Sequence, residues 1–156
     1  MTNLSETLSK HIEAANVLVL AGKIEDNLEK LLLVAGREIP NKVAKRIFAG
    51  MGPLSSLAGK IEVAYLFELI DEPAFKDLLI IKDVRNAFAH TTQYVYFSQE
   101  HIAAKCRNLS NWIGDPQDAF YKRGLELFDE ISDSIDKLIF RKALQEAPLP
   151  VVDEEE

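Results

Sequence analysis

The stretch NLSETLSKHIEAANVLVLAGKIEDNLEKLLLVA, residues 3–35, decides the fold class. Asn3 and Glu6 have the spacing of a capping box, in which the amide oxygen accepts from a free backbone NH and the Glu reaches back. Leu4, Leu8, Ile12, Ala15, Val19, Ile24, Leu28, Leu31, Leu32 and Ala35 then recur at helical spacing. They predict one apolar face of a long helix, or of two helices broken near Gly22. Gly36 and Pro40 punctuate its end.

The rest of the chain reads the same way. Asn41 to Ala49 is a short basic helix with Val43, Ile47 and Phe48 turned inward. Gly50-Met51-Gly52-Pro53 breaks it, and Pro53 suits the first turn of the next helix, marked by Leu54, Leu57, Ile61, Ala64, Tyr65 and Glu68. Asp71-Glu72-Pro73 starts another, whose stripe Phe75, Leu78, Leu79, Lys82, Asn86 drifts from apolar to polar. Tyr94 to Phe97 is strand-like but too short to make a sheet alone. Ser98 is placed to cap a helix holding Ile102, Cys106 and Leu109, and Gly114-Asp115-Pro116 opens a last long helix to about Leu144. Strands never alternate with helices. The expected fold is all-α, a single-domain antiparallel bundle of five to seven helices over residues 1–145.

Composition sets limits on function. The chain has 156 residues, 47% of them hydrophobic and 28% charged, enough to bury a core. Its 18 Lys and Arg against 25 Asp and Glu give a net charge of −7. Residues 146–156 carry Glu146, Asp153, Glu154, Glu155 and Glu156 with no base, so they read as an acidic, disordered tail beyond Pro148. The remainder is nearly neutral, which gives no support for tight DNA binding. The cluster Arg37, Lys42, Lys45 and Arg46 reads as a solvated helix face. The single Cys106 excludes an intramolecular disulfide framework and a Cys-based zinc site. No apolar run approaches the ~20 residues needed to cross a bilayer, so the expectation is a soluble cytoplasmic protein with no membrane contact.

One segment gathers chemistry: Lys82-Asp83-Val84-Arg85-Asn86-Ala87-Phe88-Ala89-His90. An arginine, an amide and a histidine at a helix end are what metal-independent RNA cleavage needs. His90 would exchange a proton with the 2′-hydroxyl or the leaving oxygen. Arg85 would hold the developing phosphate charge, and Asn86 would orient either. On an ideal helix Arg85 and His90 lie ~140° apart, so the helix ends before His90 or two copies bring the pair together. The bland alternative is a salt bridge from Arg85 to Asp83 or to an acid of another helix, with His90 closing the helix C-terminus.

The other candidates are weaker. His11, His90 and His101 have no metal-ligand spacing, and Gly50 to Pro53 lacks what a phosphate loop requires, so no metal and no cofactor is expected. Lys60 and Glu62 read as a wet helix face. Cys106 reads as core, and so do Trp112, Tyr94 and Tyr96, although these could stack bases.

A set of segments carries a family resemblance. Gly52-Pro53-Leu54-Ser55-Ser56-Leu57-Ala58-Gly59-Lys60-Ile61-Glu62-Val63-Ala64-Tyr65, then Leu69-Ile70, then Val84 to His90, within about residues 24 to 112, resembles the mannitol operon repressor family of bacteria. The Arg-x4-His segment also looks like the motif of the HEPN superfamily, small and commonly dimeric helical bundles whose active members are metal-independent ribonucleases. Only Arg85, Asn86 and His90 carry over to such a site. The resemblance implies a negative regulator of transcription. No helix-turn-helix with a basic recognition helix is found, so the implied action is through a protein partner, with a homodimer formed by an apolar helix face. An RNA-cleaving enzyme using Arg85, Asn86 and His90 is the alternative, and a non-catalytic oligomeric scaffold is a third reading.

Overall fold

The computed structural model describes residues 4–90 and 94–147. Six helices make up the fold among these residues: α1 (Leu4–Ala35), α2 (Asn41–Phe48), α3 (Leu57–Leu66), α4 (Glu72–Ala89), α5 (Glu100–Cys106) and α6 (Pro116–Glu146). The chain is all-α. The Asn3 cap and the acidic tail beyond Ala147 lie outside the described residues, and Glu146 itself ends α6 rather than starting the tail.

The helix starts follow local chemistry, with two departures from the expected caps. Asp71 and Asp115 accept from the backbone NH of Ala74 and Asp118, each at 2.9 Å, with a proline in the first turn behind them. Ser56, not Pro53, opens α3, because its hydroxyl accepts from Gly59 N at 3.0 Å. Pro53 sits in the turn before, where Leu54 N bonds back to Ile47 O at 2.9 Å. Gln99 rather than Ser98 precedes α5, and it makes no side-chain cap bond there.

Gly22 does not break α1, which runs unbroken for 32 residues. Its apolar face does change side. Val17, Ala21, Ile24, Leu28 and Leu31 are the buried positions. Leu4, Leu8, Ile12 and Val19, expected on the same face, are exposed. Val19 and Val17 are two residues, hence ~200°, apart, so the two stripes occupy opposite sides of one helix.

The core is continuous from α1 through α3 and α4 to α6, built on Ile24, Leu28, Ile61, Leu78, Ile81, Phe120, Leu127 and Ile131. Phe97, in the turn before α5, fills its end, in ring contact with Phe88 at 5.2 Å and with Phe120 at 5.2 Å. α3 turns back into α4, and Tyr65 of α3 stacks on Phe75 of α4 across the short turn. α1 and α6 add a parallel pair. Tyr121 bonds to Glu13 O, Asn27 to Ser132 at 2.8 Å and Lys142 to Gly36 O at 2.7 Å, so the partners' numbers rise together. Gly124 makes this approach close, since a Cβ there would meet the Leu20 side chain at 2.6 Å.

Candidate functional site

Helix α4 places the candidate residues. Its buried positions Ala74, Asp77, Leu78, Ile81, Val84 and Phe88 face the core, which turns Arg85 and Asn86 to the margin. The helix ends at Ala89, and His90 closes it with φ −110° and its backbone NH on Asn86 O at 3.1 Å. Asn86 and His90 are four residues apart and share a side, whereas Arg85 lies round the helix from His90.

Arg85 does not reach His90. Its guanidinium donates to Asn86 Oδ1 at 3.1 Å and sits 3.9 Å from Glu25 of α1. The acid partner is thus on another helix, while Asp83 pairs with Lys82 at 3.2 Å. Glu25 also accepts from Lys60 of α3 at 2.9 Å, and Glu29 stands 3.5 Å from the same ammonium. Lys60 is 3% exposed, so it is a buried tie between helices and not the wet surface its sequence suggests. Two bases and two acids leave this chain of groups neutral.

Arg85 keeps 32% of its side chain exposed. His90 is exposed, and none of the described residues bonds to its imidazole. One copy therefore joins Arg85 to Asn86 and leaves His90 open to solvent at the helix end.

Two features escape a reading of the sequence. The first is a charged knot in the core: Arg123 Nε donates to Asp77 at 2.6 Å, its Nη1 to Glu130 at 2.6 Å, and Asp77 also accepts from Ser110 N at 3.0 Å. Asp77 and Arg123 stand at core positions of their helices, and that placement was the available signal. The second is a cleft of about 1110 Å³ between the α3–α4 turn and α6, lined by Glu62, Tyr65, Glu68, Phe75, Glu130 and Asp133 among others. The Tyr65 and Phe75 rings stack in its wall, 4.2 Å apart and 11° from parallel.

Trp112 and Tyr94 are half exposed and do not belong to the core expected for them; Tyr94 meets His11 edge-on at 5.2 Å. Cys106 is buried as expected. Among the described residues no group of three or more His, Cys, Asp or Glu could hold a metal ion, and no helix is long and apolar enough to cross a membrane. No family model, no curated protein and no solved structure matches the chain.

Proposed function

We propose that this protein is a negative regulator of transcription of the mannitol operon repressor type, acting through protein contacts and not by gripping DNA itself. The observation that carries the reading is the exposed stripe Leu4, Leu8, Ile12, Val19 on the first half of α1. It extends about 22 Å along the helix axis. An apolar helix face of that length left in water marks a protein-contact surface. The charges agree: Lys10, Lys60, Lys76, Arg85, Arg107 and Arg123 each sit against a carboxylate, and the net charge of −7 opposes a phosphate backbone.

The test is a reporter strain together with pure protein. Leu8→Glu/Ile12→Glu should abolish repression while the helical circular dichroism is kept. The unaltered protein alone should not retard operator DNA. A tight retardation that weakens steeply with salt would overturn the reading.

A second reading is a metal-independent ribonuclease, favoured by an open His90 and an Arg85 already bonded to Asn86. RNA would be cleaved in EDTA, with His90→Ala and Arg85→Ala each abolishing cleavage. RNA left intact at high protein concentration would reject it.

A further inference from the structure

Two surfaces of this molecule match each other. The first is α2. Lys42, Lys45 and Arg46 occupy one side of this eight-residue helix, with Arg37 just before it, and all four are exposed. Among the described residues no carboxylate pairs with any of them. Phe48 is the only side chain α2 buries, and Met51 stands fully exposed at its end.

The second surface is the cleft between the α3–α4 turn and α6. Glu62, Glu68 and Asp133 line it, are exposed, and have no basic partner among the described residues. Tyr65 is 39% exposed and backed by the Phe75 ring, a flat aromatic face of the kind on which a guanidinium settles. Leu66 and Phe67 stand at the rim, 72% and 67% exposed.

Glu68 shows that the negative charge of this cleft is held at a cost. Its φ is +56°, a left-handed conformation that glycine adopts freely and a residue with a Cβ does not. It also places a carboxylate at the C-terminal end of α3, where the helix dipole is already negative. Both effects oppose stability, and strain of this sort gathers at working surfaces.

We infer that the cleft receives α2 of a second copy of this chain, each copy giving its α2 and taking the other's. Lys42, Lys45 and Arg46 meet Glu62, Glu68 and Asp133, Arg46 lies on the Tyr65 ring, and Met51 rests on Leu66 and Phe67. A twofold arrangement makes the contact twice and closes the pair. This goes beyond the regulatory reading and does not rest on it: charged surfaces join the copies, and the α1 stripe is left for another partner.

Sedimentation velocity of the full chain tests the assignment. At low ionic strength and micromolar concentration the protein should sediment as a pair, and its dissociation constant should rise at least tenfold in molar salt, where the Debye length falls to ~3 Å. Lys42→Glu/Lys45→Glu/Arg46→Glu alone should be monomeric, and so should Glu62→Lys/Glu68→Lys/Asp133→Lys. An equimolar mixture of the two should recover the pair, because both contacts are then complementary again. Leu8→Glu/Ile12→Glu should leave pairing unchanged. A monomeric unaltered chain, a mixture that stays monomeric although both variants keep their helical circular dichroism, or a pair broken by Leu8→Glu/Ile12→Glu would overturn the assignment. Should either charge variant lose its helical signal, the salt titration of the unaltered chain decides, and pairing indifferent to salt counts against it.

Discussion

Arg123 donates its Nε to Asp77 at 2.6 Å in the middle of the bundle, with side chains only 7% and 2% exposed. The bond ties α4 to α6, and Ser110 ties the segment after α5 to the same carboxylate through both its NH and its hydroxyl. Three parts of the fold thus share one buried acid. Removing either partner strands a charge away from water, the costly way to break such a pair. Asp77→Ala should lower the unfolding free energy by about 3–5 kcal/mol in a urea titration. Asp77→Leu/Arg123→Met should recover most of that loss. It should still fall about 1–2 kcal/mol short, because the Ser110 NH keeps no acceptor.

The sequence made the helices legible and left this knot hidden, for a physical reason. A helix is announced by local periodicity and by caps, and Asp71 with Pro73 marks the start of α4 within three residues. A buried ion pair joins positions 46 residues apart, and the place of Asp77 and Arg123 on the core stripes of their helices does not name the partner of either. The same limit explains the misread stripe of α1. Leu4, Leu8 and Ile12 have helical spacing, but spacing does not say whether a face is covered by this chain or by something else. At the candidate site, the Arg85–Asn86 bond follows from adjacency, whereas the counter-charge Glu25 had to come from the fold.

Glu68 offers a prediction of opposite sign. The turn after α3 closes with Leu69 N on Ala64 O at 2.9 Å and Glu68 N on Tyr65 O at 3.0 Å, the pattern that asks for glycine at the left-handed position. Glu68→Gly should raise stability by about 1 kcal/mol, read as a higher melting temperature. The same change removes a carboxylate from the cleft, so pairing of copies should weaken as stability rises. A variant that is both more stable and better paired would contradict the role given to Glu68.

Gly52 is fixed by space rather than by φ. A Cβ there would overlap the carbonyl oxygens of both Arg46 and Ile47, and these are backbone atoms that cannot swing away. Ile47 O also accepts from Leu54 N, so moving it breaks the turn that follows α2. Gly52→Ala should cost about 2 kcal/mol in thermal or urea unfolding, the scale of overpacking.

Cys106 is fully buried on α5, and desolvation, helped by the Asp115 charge, pushes its thiol from 9.0 up to about 11. The shift favours the neutral thiol in the folded state. Its contribution to stability is therefore complete below pH 9 and is lost as pH rises toward 11. A thiol reagent at pH 8 should label the folded protein orders of magnitude more slowly than the urea-unfolded chain, since the thiolate is both scarce and covered. Cys106→Ser should flatten the stability loss between pH 9 and 11.

Glu25 serves two cations unequally, and this separates structure from function at the candidate site. Lys60 is 2.9 Å from it with a side chain 4% exposed, whereas Arg85 is 3.9 Å away and 32% exposed. Lys60→Met removes the buried ammonium and leaves the half-buried Glu25 with one distant guanidinium, and should cost about 2 kcal/mol. Arg85→Ala removes a long, solvent-screened pair and one part-exposed hydrogen bond from the guanidinium to an amide oxygen, and should cost about 1 kcal/mol. A folded Arg85→Ala protein then reads out function directly. Repression that survives the change places the regulatory contact elsewhere, as the α1 stripe requires. RNA cleavage in EDTA that vanishes with Arg85→Ala, while the urea midpoint barely moves, would assign the guanidinium to chemistry. An Arg85→Ala protein as damaged as Lys60→Met would show instead that this arginine is a structural tie.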